Sequence, residues 1–175
     1  ALIFFRKEIK FPKNISVQLY RGFFLFLSTV FFFYAISIIS LAQALTLAFV
    51  SPIIVTILSI FYLKEKVGVH RWSAVIIGFI GVLIIIRPGF LEINFASISA
   101  IGAGTAYAFY IIYTRKLSFI DSPVVTLLFT GVVGCILISI ILPYYWTNID
   151  LRQLLLLILL ASIGALAHFL IILSL

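Results

Sequence analysis

The chain alternates long apolar runs with short polar loops, and this pattern predicts its secondary structure. Each run approaches the roughly 20 residues that an α-helix needs to cross a bilayer. A short apolar stretch at 1–6 is interpreted as the end of a further span. The pattern predicts an all-α, polytopic helical membrane protein with six complete spans, at about 19–37, 41–62, 72–86, 95–113, 124–142 and 154–175.

Composition strengthens this prediction. Hydrophobic residues make up 65% of the 175 positions, charged residues make up 10%, and the mean hydropathy is +1.34. Soluble domains carry roughly 25% charged residues, so a water-soluble fold is excluded. The net charge of +7 lies mainly in short loops. Basic side chains there face lipid headgroups, so membrane lipid is the predicted partner and nucleic acid is not.

The basic residues also predict which loops face the cytoplasm. Ten Lys and Arg residues lie on one side of the predicted membrane, if Arg21 is counted with the loop before the first span, and two lie on the other. Cytoplasmic loops carry such an excess. The distribution predicts that loops 7–18, 63–71 and 114–123 are cytoplasmic, and that Arg87 and Arg152 lie outside.

Ser51 and Pro52 lie near the middle of the second run. Proline has no N–H, and in lipid the carbonyl that loses its donor must be satisfied by a neighbouring helix or a wet cavity. At about 1.5 Å per residue, this pair lies near the bilayer centre. The sequence therefore predicts a broken helix at mid-membrane.

Small residues at helical spacing predict where the spans pack, because close backbone approach replaces the hydrophobic drive in lipid. The third, fourth and sixth runs each carry one such stripe: Ala74, Gly78 and Gly81; Ala96, Ala100 and Ala103, continuing to Tyr107 and Tyr110; and Ala161, Ala165 and His168.

Gln43 and His168 are the most informative polar side chains within the runs. The Gln43 amide needs several partners, which neighbouring helices or a substrate can supply. His168 is interpreted as the only ionisable side chain well inside a run. It is either a neutral histidine satisfied by a neighbouring helix, or a cavity residue or proton-coupling group. Asp121 precedes the fifth run, where it can cap a helix.

No metal-binding, phosphate-binding or nucleophilic motif occurs in the sequence, and the acidic residues lie in loops or at interfaces. The sequence therefore predicts no enzyme activity, no metal site and no cofactor.

An ordered set of short motifs resembles the EamA repeat of the drug/metabolite transporter superfamily. The set comprises Tyr34-Ala35, Ser51-Pro52, Leu63 with Glu65, Arg71-Trp72, Gly78 to Val82, and Arg87-Pro88-Gly89. The segment 107–118 and the end of the chain resemble the start of a second repeat, with His168 at a position where family members often carry histidine.

The resemblance implies a ten-span fold of two inverted five-span repeats. Residues 1–89 would then hold the end of the first repeat and 90–175 the start of the second, so the chain is expected to be an internal piece of a longer protein.

The resemblance also implies a function, that of a secondary carrier working by alternating access in the inner membrane. The implied substrate is a small organic metabolite, such as an amino acid, an amine or an S-adenosylmethionine-like compound. Pro52 would be the helix break, and the loop at Glu65, tied by Arg71 or Lys66, would be a cytoplasmic gate. The candidate cavity residues are Tyr34, Gln43, Ser51, Tyr107, Tyr110 and His168.

Two other functions stay open at this point. A membrane scaffold without transport would not need Gln43 or His168, and a membrane enzyme would need catalytic groups in segments beyond this sequence. The identity of the substrate, the coupling ion and the direction of transport also stay open, as does assembly into a homodimer.

Overall fold

The computed structural model describes residues 12–86 and 94–174, and all its regular secondary structure in these ranges is helical. The predicted stub at 1–6, the basic residues Arg6, Lys7 and Lys10, and the motif Arg87-Pro88-Gly89 lie outside the described residues. The helices are α1 (Ile15–Ile36), α2 (Leu41–Ala48), α3 (Ser51–Tyr62), α4 (Val69–Ile86), α5 (Phe95–Ser118), α6 (Pro123–Ile141) and α7 (Leu151–Ser174), with a short 3₁₀ turn at Leu142–Tyr144.

Five of these helical segments are long and apolar enough to cross a membrane, counted over the described ranges. They are Ile15–Ile36, Leu41–Tyr62, Phe95–Ser118, Pro123–Tyr144 and Leu151–Ser174. The apolar part of α4, Val69–Ile84, is shorter, and it corresponds to the shortest predicted span. The many exposed large apolar side chains, among them most of α7, suit a lipid environment.

Most of the helices begin at a polar side chain that accepts a hydrogen bond from the first turn, which satisfies part of the free N–H groups there. Ser40 and Gln43 form a capping box at the start of α2. Helix α3 differs, because Val50 gives it no side-chain cap and Pro52 stands in its first turn. The other caps are Asn14 to Val17 N–H, Asn94 to Ser97 N–H, Ser122 to Val125 N–H and Asp150 to Leu151 N–H.

The chain divides into two compact units, and the division falls within α1 and α5. The central unit is Phe24–Ile112, and the terminal unit consists of Ala1–Phe23 and Tyr113–Leu175. In the central unit, α2 and α3 pack against α4. Ala35, Ala44 and Ala100 form a fully buried cluster where α1, α2 and α5 meet.

Two serine hydroxyls join α1 to α5 in the central unit. Ser28 Oγ donates to the Ala103 carbonyl and Ser99 Oγ donates to the Phe31 carbonyl, each at 2.9 Å. The small-residue stripe predicted on α5 is confirmed, because Ala96, Ala100 and Ala103 are all buried. Interhelical hydrogen bonds and small residues are the two means by which helices associate in lipid.

The small-residue stripe on α4 behaves differently from the one on α5. Ala74 and Gly78 are exposed, and a Cβ added at Gly78 or Gly81 would meet nothing within 4 Å in the described structure. The α7 stripe is similar, because Ala161 and Ala165 are exposed. The prediction that these two faces pack closely is therefore wrong for the part of the chain that the structure covers.

In the terminal unit, α6 packs against α7 and also approaches α1 closely. A Cβ added at Gly22 would lie 2.7 Å from both Cβ and Cγ1 of Val133. Only glycine permits this approach of the two backbones. On the same helix, Tyr20 stacks on Tyr113 with 6.1 Å between the ring centroids.

Candidate functional site

The predicted cavity residues fall in both units. Tyr34, Gln43, Ser51, Tyr107 and Tyr110 belong to the central unit, and His168 belongs to the terminal unit. Among the first five, Tyr107 and Tyr110 are in ring contact on α5, with centroids 5.4 Å apart and planes tilted by 34°. Tyr110 is fully buried and Tyr107 is half-buried, so Tyr107 is the ring that retains a free surface.

Tyr34 and Gln43 lie near the end of α1 and the start of α2. Tyr34 is 48% exposed. Gln43 is half-buried, and its side-chain oxygen accepts from the Ser40 N–H at 3.2 Å while its own N–H donates to Ser40 Oγ at 3.3 Å. The capping box gives Gln43 a structural role in starting α2, whether or not it also meets a substrate.

The second apolar run is divided immediately before the Ser51-Pro52 pair. Helix α2 ends at Ala48, Phe49 and Val50 form a turn, and α3 begins at Ser51. The N–H of Val50 donates to the Leu47 carbonyl at 3.3 Å, a tighter pattern than that of an α-helix. Because Pro52 cannot donate to the Ala48 carbonyl, the regular ladder cannot continue across this point.

The predicted ion pair joins the loop after α3 to the first turn of α4. Arg71 Nη1 lies 3.4 Å from Glu65 Oε2. Lys64 adopts a left-handed conformation with φ of 53°, and the Glu65 N–H donates to the Ser59 carbonyl at 3.3 Å. This local geometry folds the loop back on the end of α3 and positions Glu65 for Arg71. The role of the loop as a gate stays a prediction.

The terminal unit holds a buried polar network that is absent from the predicted site, and Arg21 is its principal member. The Arg21 side chain is 0% exposed. Its Nε donates to Thr114 Oγ1 at 2.7 Å on α5, and its Nη1 donates to the Thr126 carbonyl at 2.9 Å and to Thr130 Oγ1 on α6. One cation therefore links three membrane-competent helices.

Counting Arg21 as a loop residue is therefore wrong. Helix α1 begins at Ile15, four residues before the predicted start, and places Arg21 about 9 Å along the helix. Hydroxyl and carbonyl groups of α5 and α6 offset the loss of hydration that burial causes. Without Arg21 the loop count is nine against two, so the predicted sidedness is unchanged.

Gln18, three residues before Arg21 on the same face of α1, extends the network. Its Nε2 donates to Asp121 Oδ2 at 2.9 Å and to Thr126 Oγ1 at 3.3 Å. Asp121 Oδ1 also accepts from the Lys13 N–H at 3.0 Å. The expected capping role of Asp121 is wrong, because Ser122 caps α6 and leaves the Asp121 carboxylate to bind α1.

Gln18 Oε1 is buried and has no hydrogen-bond partner among the described residues. A buried acceptor of this kind usually binds a water or another donor group. The network therefore retains one buried acceptor that a water could satisfy.

His168 lies on α7, is half-buried and interacts electrostatically with Arg21. The sequence indicated His168 as the ionisable side chain within the spans, and the structure adds buried Arg21 to it. The signal that identifies Arg21 is its spacing: Gln18 and Arg21 lie at i and i+3, and Thr126 and Thr130 lie at i and i+4 on α6, so each pair shares a helix face.

An open groove of about 340 Å³ lies between α1 and α5 in the central unit. Its polar lining residue, Thr105, donates its hydroxyl to the Ile101 carbonyl at 2.9 Å. The groove therefore presents hydrocarbon surface and suits a lipid chain better than a polar metabolite. It is lined by Phe24, Leu27, Phe31, Ile98, Ile101, Gly102, Thr105, Ala106 and Phe109, which include none of the predicted cavity residues.

The model of the EamA-like transporter family matches residues 1–87. The match covers 87 of the 175 residues. The EamA-like domain thus contains α1 to α4, and with them Tyr34, Gln43, Ser51 and Pro52. Arg21 also lies in this domain, whereas its partners on α5 and α6 lie beyond the matched residues.

Curated relatives extend the likeness along almost the whole chain. The chain is 27% identical to the S-adenosylmethionine uptake transporter of Rickettsia bellii over 169 residues, which cover 97% of the chain and 58% of that protein. It is 25% identical to the S-adenosylmethionine uptake transporter of Rickettsia conorii over 96% of the chain and 57% of that protein.

A shorter and stronger likeness involves another substrate. The riboflavin transporter of Vibrio cholerae is 43% identical over 81 residues, which cover 46% of the chain and 27% of that protein. No solved structure matches the chain. The chain spans little more than half the length of the two rickettsial relatives. The EamA-like match, the five apolar helices of the described ranges and the bacterial relatives fit a multi-pass protein of the inner membrane.

Proposed function

We propose that this protein is a secondary active transporter that moves a small organic metabolite across the bacterial inner membrane by alternating access. The observation that carries the proposal is the likeness to S-adenosylmethionine uptake transporters over 97% of the chain, well beyond the EamA-like domain. The relatives are named as transporters, so transport is proposed in place of catalysis or a purely structural role.

The geometry of the terminal unit supports transport as well. A charged side chain buried among membrane helices is expensive, and such residues commonly mark the pathway of a substrate or an ion. Arg21 is held by Thr114, Thr126 and Thr130, and it interacts electrostatically with His168. We assign this network to the control of transport, with His168 as a cavity or proton-coupling residue.

The central unit supplies the other proposed parts. Tyr34, Gln43, Ser51, Tyr107 and Tyr110 are assigned to the substrate cavity. Pro52 is assigned to the helix break, and the loop of Glu65 and Arg71 to a cytoplasmic gate. The half-buried ring of Tyr107 offers a face on which a planar group can stack.

The proposed substrate class is an S-adenosylmethionine-like compound, with amino acids and amines as alternatives. S-adenosylmethionine and riboflavin both contain a fused heteroaromatic ring, which suits a tyrosine surface.

For the architecture we propose two inverted five-span repeats, divided near residue 89, since an odd number of spans per repeat reverses its orientation. A homodimer is part of this proposal and is tested by cross-linking in membranes.

Uptake into membrane vesicles that contain the full-length gene product tests the proposal. Labelled S-adenosylmethionine, riboflavin and a pool of amino acids and amines are each presented with and without a proton gradient. We expect saturable uptake of at least one of them above that of vesicles without the protein. If vesicles that contain the folded protein take up every compound no faster than vesicles without it, transport of these classes is rejected and a scaffold is favoured.

A further inference from the structure

The break between α2 and α3 leaves one carbonyl without its usual donor. In a continuous helix the N–H of residue 52 would donate to the Ala48 carbonyl, but Pro52 has no N–H. The hydrogen bonds at the break run from Val50 N–H to the Leu47 carbonyl at 3.3 Å and from Ile53 N–H to the Val50 carbonyl at 3.1 Å. In a membrane span a carbonyl in this situation needs cover from a neighbouring helix.

Gly104 of α5 lies directly at that carbonyl. A Cβ added to Gly104 would overlap the Ala48 carbonyl oxygen and lie 3.0 Å from both the carbonyl carbon and the Cα of Ala48. These are backbone atoms, so no side-chain rotation relieves the overlap. Glycine has a hydrogen in this direction, which allows a Cα–H···O contact with the carbonyl.

Two other glycines provide a contrast with Gly104. Gly102 lies two residues before Gly104 on α5. A Cβ at Gly102 would lie 3.0 Å from an atom of the Phe31 ring, and this ring can turn away. A Cβ at Gly78 on α4 would meet nothing within 4 Å. Among the described glycines of the central unit, Gly104 is therefore the one at which an added Cβ would meet backbone atoms.

We propose that Gly104 is a positioning residue: it holds the broken helix against α5 by covering the carbonyl that Pro52 deprives of its donor. The contact of Gly104 with Ala48 then depends on Pro52, and all three residues lie in the central unit. For transport, an extension that rests on the proposed function, this contact gives the second span one defined bending point.

The melting temperature of the full-length gene product in detergent tests the contact itself. We expect Gly104→Ala to lower it by about 5 °C or more, Gly102→Ala to lower it less, and Gly78→Ala to leave it within about 2 °C. In Pro52→Ala, residue 52 regains its N–H and draws the Ala48 carbonyl back into the helix. The loss caused by Gly104→Ala should therefore at least halve in that background.

The double variant keeps the proposal open to refutation even if Gly104→Ala folds poorly. Equal losses with Pro52 and with Ala at position 52, or failure to fold in both backgrounds, would overturn the coupling. A Gly104→Ala protein as stable as Gly78→Ala would overturn the contact. The melting temperature does not depend on transport, so the proposed contact can be rejected without rejecting the proposed transport function, and the reverse.

Uptake kinetics separate positioning from a merely structural role. In Gly104→Ala protein that remains folded, we expect the maximal rate to fall by about tenfold with KM nearly unchanged, because bending is affected and substrate binding is not. Pro52→Ala in the same chain should restore part of that loss. An unchanged maximal rate, or a change confined to KM, would contradict the positioning role.

Discussion

Replacing Arg21 tests the buried network most sharply, because two large energy terms oppose each other at this residue. Its hydrogen bonds to Thr114, Thr126 and Thr130 come from a charged donor, and such bonds contribute about 1.5–3 kcal/mol each, roughly 5–9 kcal/mol for these three. Burying a guanidinium costs several kcal/mol. An apolar side chain of similar length removes both terms at once.

We therefore expect Arg21→Met to change the free energy of unfolding by no more than about 2 kcal/mol. The Thr126 carbonyl keeps a donor, because the Thr130 hydroxyl lies 2.7 Å from it. The Thr114 hydroxyl can donate to a carbonyl of its own helix. Arg21→Ala also loses packing volume, and should be less stable than Arg21→Met by about 2–5 kcal/mol, the usual cost of truncating a buried methionine to alanine.

The assay combines thermal unfolding of the purified full-length gene product with uptake into vesicles. If the Arg21 charge serves transport, Arg21→Met should unfold near the wild-type temperature yet take up substrate at least about tenfold more slowly. Lys116→Met, an exposed residue in the last turn of α5, is the matched control and should change neither quantity.

Two results would refute this reasoning. Wild-type uptake by Arg21→Met would remove Arg21 from the transport mechanism. Equal instability of the Met and Ala variants would show that the charge itself, and not its packing volume, supports the fold.

Three further predictions concern the local structure and are tested by thermal unfolding. Gly22→Ala should lower the free energy of unfolding by about 1–3 kcal/mol, because the added Cβ collides with Val133. The control Gly131→Ala adds a Cβ that meets nothing within 4 Å and should be neutral or stabilising. Equal effects of the two substitutions would reject the close approach of α1 and α6. Lys64→Gly should stabilise by about 1 kcal/mol by relieving the left-handed strain, and a loss would contradict this. Ser40→Ala should cost about 0.5–2 kcal/mol through loss of the α2 cap, which an unchanged melting curve would refute.

Features that depend on local chemistry could be predicted from the sequence. The apolar runs follow from hydropathy, although α1 begins before the predicted limit and α5 ends beyond it. A proline in the middle of a run divides it because the ladder loses a donor. The stripe of Ala96, Ala100 and Ala103 is buried as its spacing indicates. The Glu65–Arg71 pair forms between residues only six apart in the chain.

Features that depend on distant partners could not be predicted in the same way. An arginine near the end of an apolar run ordinarily extends to the headgroups, and only its partners on α5 and α6, about 100 residues away, account for the burial of Arg21. The Asp121 side chain could either cap α6 or bind another helix, and the outcome depends on Gln18 of α1. Likewise, small residues at the same spacing are buried on α5 but lack close neighbours at Gly78 and Gly81 on α4. The spacing alone does not show which helix, if any, covers the stripe.

The central claim is that the apolar helices cross the bilayer in alternation, with the basic loops in the cytoplasm. Single cysteines introduced by Lys64→Cys and Tyr145→Cys test it most directly, in a protein whose own cysteine is removed by Cys135→Ala. Both positions are exposed. A membrane-impermeant thiol reagent should label Tyr145→Cys in cells with an intact inner membrane, and Lys64→Cys only after permeabilisation. Equal labelling of both positions before permeabilisation would contradict the account.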